Sequence, residues 1–175
     1  MNTSWRAAAD WPTAERPSAL WSWLTHSGSL TRKLRGLTGD SFHVEVLAET
    51  DIRLDDDDAR LLGAIPGHVA RVREVYLCGT QPLVFGRTLT SDDSGAKWLE
   101  SLGTQPLGER VFAEQDAVRG EIEVKRVAGS DMLFRDAVRG LAVLPTTALW
   151  ARRSILTVRS ARLLIYECFL PGVED

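Results

Sequence analysis

The sequence contains few cysteine and histidine residues, the residues that form disulfides and that bind transition metals through sulfur and nitrogen. It has two cysteines, Cys78 and Cys168, and three histidines, His26, His43 and His68. Both cysteines lie within apolar runs, where buried free thiols are the common state. The histidines are too scattered for the ligand spacing of a metal site. We therefore expect neither a disulfide framework nor a bound metal.

The sequence also lacks the motifs of nucleotide-dependent enzymes and of many hydrolases. It contains no glycine-rich phosphate loop and no dinucleotide fingerprint. It contains no G-x-S-x-G nucleophile elbow either. Any catalysis then has to depend on arginine and glutamate side chains, on the shape of the site and on the exclusion of water. We expect no cofactor.

Long hydrophobic runs and a strong charge of one sign are absent as well. No apolar run approaches the roughly 20 residues of a membrane span, and no N-terminal hydrophobic segment of signal-peptide type is present. The formal net charge is −3, so no overall basic field attracts nucleic acid. The 175 residues are enough for one domain with a real core. We expect a cytoplasmic monomer that binds a small molecule and neither nucleic acid nor membrane.

The segments that are present predict six strands in hairpin order with short helices between them. Strands are predicted at residues 42–47, 69–78, 83–90, 121–127, 149–158 and 162–170. A turn at Ser160 and Ala161 is predicted to join the last two. Hairpin order without βαβ alternation is typical of an antiparallel sheet. The fold class is therefore α+β, with a six-stranded antiparallel sheet and helices on one side.

The rest of the chain is predicted to divide into a lead-in, helices and a lid that is rich in glycine and proline. Residues 1–16 show little periodicity and are predicted to be a loosely ordered lead-in to a domain at 17–175. Helices are predicted at residues 17–25, 30–35, 94–102 and 131–140. Ser29 suits the N-cap of the second helix and Gly36 its end. Residues 102–112 are predicted to form a lid that enters a further short helix, and the four aspartates at 55–58 a solvated loop.

Two charged residues occupy positions that the pattern predicts to be buried. Glu167 lies in the middle of L-L-I-Y-E-C-F-L at 163–170, a run typical of a strand buried on both faces. Arg73 shares one face of its predicted strand with Val75 and Leu77. An ionised group buried without a partner is prohibitively costly, so each must be paired, neutralised or used on a ligand. A structural ion pair and a polar ligand pocket both remain open.

Three further arginines are weaker candidates for ligand contact. Arg152 and Arg153 are adjacent in a predicted strand, so they face opposite sides of the sheet and at most one is expected to point inward. Arg87 lies in the strand at 83–90. A strand arginine most often extends its stem to solvent.

Four segments together resemble the chorismate pyruvate-lyase family. They are W-L-T-H-S-G-S-L-T-R-K-L at 23–34, V-R-E-V-Y-L-C-G-T-Q-P-L-V-F-G-R-T at 72–88, L-G-T-Q-P-L-G at 102–108, and L-W-A-R-R-S-I-L at 149–156 continued by Y-E-C-F-L-P at 166–171. Each segment alone is weak. Their order and spacing along the chain make the resemblance specific.

The resemblance implies a fold, an activity and a set of site residues. The fold is a six-stranded antiparallel sheet with helical flaps closing over an internal ligand site. The activity is the cofactor-independent elimination of pyruvate from chorismate to give 4-hydroxybenzoate, the first step of ubiquinone biosynthesis, with product inhibition. Arg73 and Glu167 match the family's charged catalytic positions. Leu30 and Leu107 match its substrate-contacting flap positions, although Leu30 is methionine in the best-known members.

The chief alternative is a non-catalytic domain of the same fold that binds an aromatic acid as an effector. Such modules follow a winged-helix DNA-binding domain, and residues 1–41 contain no recognition helix. A second alternative is a relative that acts on another aromatic or dienol acid. The presence of both Arg73 and Glu167 argues against a large change of ligand.

Overall fold

Eight strands form one antiparallel sheet in the computed structural model, which describes residues 4–114, 116–145 and 147–173, with Phe112 described by its backbone alone. The strands are β1 (Arg6–Ala7), β2 (His43–Arg53), β3 (Val69–Cys78), β4 (Pro82–Thr90), β5 (Val118–Arg119), β6 (Glu123–Val127), β7 (Leu149–Val158) and β8 (Ala161–Phe169). Their spatial order is β1-β6-β7-β8-β4-β3-β2, with β5 also paired to β7. The α+β class and the antiparallel sheet are confirmed. The count of six strands is wrong, because β1 and β5 have two residues each and are too short to show alternation.

Six α-helices occur in the described part of the chain. They are α1 (Trp21–Leu24), α2 (Leu30–Thr38), α3 (Asp56–Leu62), α4 (Asp93–Glu100), α5 (Leu107–Ala113) and α6 (Met132–Val138). Ser29 caps α2 as predicted, and its hydroxyl accepts a hydrogen bond from the backbone N–H of Arg32 at 3.2 Å. The helix continues through Gly36 and ends at Gly39, which has φ +57°. A glycine inside a helix weakens it without stopping it, whereas a positive φ interrupts it.

The aspartate run begins a helix and is not the solvated loop that its composition predicts. Asp55 is the N-cap of α3, and its side chain accepts from the backbone N–H of Asp58 at 2.8 Å. Carboxylates in a first helical turn complement the helix dipole. Asp57 pairs with Arg153, and Asp58 accepts a hydrogen bond from the hydroxyl of Tyr166. The run therefore anchors α3 to the sheet.

The N-terminal segment is packed against the sheet, which differs from the predicted loosely ordered lead-in. Within it, residues 1–3 lie outside the described part of the chain. Arg6 lies opposite Val124 of β6 in the strand register. Trp11 is buried against Trp150, with ring centroids 5.1 Å apart. The indole N–H of Trp11 donates to the carbonyl of Val124 at 3.3 Å. This segment thus extends the sheet and covers its end.

Helices cover both faces of the sheet, not the single face predicted. Alternation along β8 turns Ile165 and Glu167 toward α2, α4 and α5, whereas Leu164 and Tyr166 point toward α3. Residues of α6 pack beside Tyr76 and the two cysteines on that second face. Both thiols are buried and free, and burial raises the pKa of Cys78 to about 11.

The turn that joins β7 to β8 lies one residue earlier than predicted. Its two residues are Arg159 and Ser160, with φ values of +52° and +88°, and β8 begins at Ala161. Two positive φ values in a two-residue loop are characteristic of the turn type that suits a twisted hairpin. The turn places Val158 opposite Ala161, and so places Arg152 opposite Glu167.

Candidate functional site

A cavity lies between the sheet and the helices α2 and α5. Including its mouth and the open solvent there, the space measures about 570 Å³. The four residues predicted for the site, Leu30, Arg73, Leu107 and Glu167, all line it. The other lining residues are Thr31, Val44, Val75, Leu77, Gly86, Thr88, Gln105, Pro106, Gly108, Arg119 and Ile165. The structure therefore brings the predicted residues to one place.

Glu167 is held by Arg152 on the neighbouring strand. The Nε of Arg152 donates to the Oε2 of Glu167 at 2.5 Å. The Nη1 of the same side chain lies 2.7–3.4 Å from the carbonyls of Trp23 and Leu24 in α1 and of His26 just after it. Arg152 is only 1% exposed. The carboxylate is thus fixed in orientation and connected through Arg152 to the segment that precedes α2.

The charge of Arg152 also decides the ionisation of Glu167. Burial is the largest influence and favours the neutral acid, but the charges of Arg152 and Arg119 and the hydrogen bond from Arg152 together outweigh it. The pKa of Glu167 is therefore lower than its ordinary value of 4.5. At neutral pH the group is a carboxylate that accepts hydrogen bonds.

Acid should remove the stabilisation that this pair provides. Because the pKa of Glu167 is lower in the folded chain, the unfolded chain binds more protons between the two pKa values. The contribution to the free energy of unfolding is complete above the ordinary pKa of 4.5 and is lost as pH falls through the folded-state value. Urea unfolding from about pH 7 to about pH 3 should show a smaller acid loss in Glu167→Gln than in the wild type. Parallel curves for the two proteins would contradict this prediction.

Arg152 and Arg153 face opposite sides of the sheet, as their adjacency predicts. Arg153 pairs with Asp57 and with Glu123, the latter through its Nε at 2.7 Å. Both arginines are buried, 1% and 4% exposed, because helices cover both faces of the sheet, and neither is among the residues that line the cavity.

Arg73 lies at another part of the cavity and is also held by the protein. It is 4% exposed, pairs with the carboxylate of Glu49 on β2, and donates through Nη2 to the carbonyl of Gly103 at 2.6 Å. Glu49 is opposite Arg73 in the strand register. Sequence reasoning missed Glu49, because strand pairing is not visible in the local pattern. The contact with Gly103 ties Arg73 to the turn that precedes α5.

Arg119 is a cavity residue that sequence reasoning missed altogether. It lies in the two-residue strand β5, which shows no alternation. Its Nη1 donates to the hydroxyl of Ser154 at 2.6 Å. Among the described residues, two arginines and one glutamate are the charged residues that line the cavity, and most of the remaining lining is apolar. Such a cavity suits an anionic ligand with an apolar ring.

The two flaps touch each other above the cavity. Arg35 of α2 and Glu109 of α5 form an ion pair at 2.7 Å on the outer surface. Beneath it, a β-carbon added at Gly108 would lie 2.8 Å from the Oγ1 of Thr31 and 3.1 Å from the Oγ of Ser29. Only a residue without a side chain permits this approach.

One other predicted candidate, Arg87, lies elsewhere. It points to the opposite face, where its Nη1 is 3.0 Å from a carboxylate oxygen of Asp136. His26, by contrast, is partly buried beside the Arg152 contact. Burial and the charges of Lys33 and Arg152 lower the pKa of His26, which favours its neutral form at pH 7.

Comparison with known proteins identifies the family. The model of the family described as chorismate lyase matches residues 1–174. The chain belongs to the chorismate lyase family. One relative, the "Probable chorismate pyruvate-lyase" of Azoarcus sp. (strain BH72), is 38% identical over 169 residues, 92% of this chain and 87% of the relative. Another of the same name, from Pseudomonas aeruginosa (strain UCBPP-PA14), is 37% identical over 172 residues, 95% of this chain and 91% of the relative.

Solved structures with the same fold come from transcriptional regulators. The effector domain of PhnF from Mycobacterium smegmatis superposes with a TM-score of 0.58, at 14% identity, over 83% of this chain and 90% of that chain. The ligand-binding domain of a GntR-family regulator from Bordetella bronchiseptica gives a TM-score of 0.53, at 13% identity, over 75% and 83%. At these identities the likeness concerns the fold alone.

Two negative findings apply to the described residues. None of their helices combines the length and the apolar character needed to cross a membrane. Within the same residues, no group of three or more histidine, cysteine, aspartate or glutamate side chains is arranged to hold a metal ion.

Proposed function

We propose that this chorismate lyase family member eliminates pyruvate from chorismate and leaves 4-hydroxybenzoate. The observation that carries the proposal is the buried Arg152–Glu167 pair at an apolar cavity that also contains Arg73. The relatives at 37–38% identity bear the name of this activity. We further propose that the enzyme works without a cofactor, as a cytoplasmic monomer, and that its product enters ubiquinone biosynthesis.

The reaction needs positioning more than it needs strong acids or bases. Chorismate is a cyclohexadiene with a ring carboxylate, a 4-hydroxyl group and a 3-enolpyruvyl ether. Breaking the C3–O bond and removing the C4 hydrogen makes the ring aromatic, which drives the reaction. The C4 hydrogen transferred to the methylene carbon of the enolpyruvyl group becomes part of the pyruvate methyl group. The protein has to hold the reactive conformation and exclude water.

Different cavity residues bind, orient and cover the substrate. Arg73 binds the ring carboxylate, for which a guanidinium group has suitable geometry. Glu167 accepts a hydrogen bond from the 4-hydroxyl group and orients C4. Leu30 and Leu107, on the two flaps, cover the ring. Since Arg152 and Arg119 lower the pKa of Glu167, the carboxylate is a weak base, which supports an orienting role over proton abstraction.

Product formation tests this proposal. Purified protein mixed with chorismate should give 4-hydroxybenzoate, followed by absorbance, and an equal amount of pyruvate, followed with lactate dehydrogenase. Arg73→Met should lower kcat/KM by at least about 30-fold, the effect of losing one partner of a buried charged contact. Arg71→Met is the matched control, because Arg71 shares the strand but pairs outside the cavity with Asp51 and Glu100.

The effector-domain alternative predicts a different result. The fold of GntR-family ligand-binding domains is the observation that favours it. In that case the protein would bind 4-hydroxybenzoate tightly through Arg73 and form no pyruvate. That outcome would contradict the lyase proposal.

A larger side chain at the contact between the two flaps, α2 and α5, should speed product release. Gly108→Ala places a methyl group 2.8 Å from the Oγ1 of Thr31, so α2 and α5 must separate. We expect the dissociation rate of 4-hydroxybenzoate, measured by stopped-flow displacement, to rise about tenfold, since overpacking costs about 1–3 kcal/mol. Gly36→Ala is the control, because its β-carbon meets no atom within 4 Å and an alanine there stabilises α2. An unchanged rate in Gly108→Ala would show that the flaps do not limit release.

A further inference from the structure

Arg119 has hydrogen-bonding capacity that the protein does not use. A guanidinium group carries five N–H donors. Its Nη1 contacts Ser154, but its Nε is buried and has no hydrogen-bond partner among the described residues. Buried donors normally have partners. The side chain is therefore positioned by the protein and still able to bind a ligand anion in the cavity that it lines.

The strand register places Arg119 at the Glu167 end of the cavity. Ser154, its contact, is two residues from Arg152 on the same face of β7. Arg152 is opposite Glu167, and Ser154 is opposite the next residue of β8 on that face, Ile165. Arg73 lies on β3, which is separated from β8 by β4. The two cavity arginines therefore approach the ligand from different sides.

The arrangement of groups on chorismate matches these two positions. The ring carboxylate is para to the 4-hydroxyl group. The enolpyruvyl ether is on C3, next to the carbon that carries the 4-hydroxyl group. With the 4-hydroxyl group on Glu167, the ring carboxylate reaches Arg73 and the enolpyruvyl carboxylate lies beside Glu167. Arg152 keeps one buried nitrogen without a partner, Nη2, but it is not among the residues that line the cavity, and its Nε and Nη1 are bound to Glu167 and to backbone carbonyls of α1 and of His26. Arg119 does line the cavity and is the cation left for the second carboxylate.

We propose that Arg119 binds the enolpyruvyl carboxylate of the substrate, a contact that the monoanionic aromatic product cannot make. This inference rests on the proposed lyase function. It assigns the two carboxylates of chorismate to two different arginines. Arg119 then contributes to substrate binding and loses its ligand contact once pyruvate has left, whereas Arg73 holds substrate and product alike.

The test compares substrate with product in the same variants. Arg119→Met removes the charge at similar volume and should lower kcat/KM for chorismate by at least about 30-fold. The inhibition constant of 4-hydroxybenzoate should change by less than about threefold, because the product has no second carboxylate. Arg119→Lys keeps the charge and should recover part of the loss. Arg162→Met, an exposed arginine of β8, is the control for a general loss of positive charge.

Two results would overturn the inference, and both differ from a failure of the lyase proposal. Equal losses for chorismate and 4-hydroxybenzoate in Arg119→Met would show a general electrostatic or structural role. Unchanged kinetics for both would show that Arg119 does not touch the ligand.

If the wild type forms no pyruvate, the lyase proposal fails. Calorimetric affinities of the two ligands for wild type and Arg119→Met then still test whether Arg119 selects the dianion.

Discussion

Replacing Glu167 with glutamine should lower kcat/KM for chorismate by at least about 100-fold. Glutamine keeps the size of the side chain but turns one acceptor into an amide donor. Because the Nε of Arg152 requires an acceptor, the amide oxygen must face Arg152 and the NH₂ group must face the cavity. The 4-hydroxyl group of the substrate then meets a donor in place of an acceptor. Coupled product assays on the two proteins measure the effect.

A matched pair on the other face of the sheet provides the control. Glu123 accepts from the Nε of Arg153 at 2.7 Å, between neighbouring strands, as Glu167 does from Arg152. Glu123→Gln alters an equivalent ion pair outside the cavity, so we expect wild-type kcat/KM. Similar turnover in both variants would show that the Arg152–Glu167 pair is a structural ion pair alone, the reading that the sequence pattern leaves open.

Arg152→Met should cause the largest loss of stability, about 3–5 kcal/mol in the free energy of unfolding. The substitution leaves the carboxylate of Glu167 buried without a countercharge. It also removes the Nη1 donor from the carbonyl of His26, whereas the carbonyl of Trp23 keeps the backbone N–H of His26 as a donor. An acceptor that loses its partner away from solvent carries a further cost. Urea unfolding at neutral pH measures the change.

Two comparisons separate the charge from the packing of Arg152. Arg153→Met should cost less, roughly 1–2 kcal/mol, because its partners Asp57 and Glu123 are 45% and 28% exposed and can be solvated. The double variant Arg152→Met/Glu167→Leu removes both charges and should recover most of the stability without any turnover. A double variant as unstable as Arg152→Met would assign the loss to packing and to the unpartnered carbonyl of His26.

Local patterns predict the six longer strands and two of the residues that line the cavity. Strand alternation has a period of two residues, so a charge at an apolar position stands out within a single strand. Glu167 and Arg73 were recognised in this way, and both line the cavity. The N-cap at Ser29 was equally visible, because a cap depends on neighbouring residues alone. Resemblance of four segments to one family then supplied the chemistry.

The partners of those charges were not predictable in the same way. A turn at Ser160 and Ala161 would have placed Arg152 opposite Phe169, whereas the observed turn at Arg159 and Ser160 places it opposite Glu167. Shifting a hairpin turn by one residue moves the register by two, and neither arginine nor serine favours the positive φ that this turn requires. The ion pair that sets the charge of Glu167 therefore follows from the turn geometry.

The two-residue strands were also not predictable from the local sequence. β1 and β5 contain two residues each, and Arg119 enters the cavity because β5 pairs with β7. Two residues carry no period, so nothing in the local sequence distinguishes them from a loop. The alternation of side chains along each strand identifies the charged residues that are buried. Which charges meet, and which arginine shares the cavity with Glu167, depends on contacts between residues far apart in the chain, and those form when the sheet assembles and the flaps close over it.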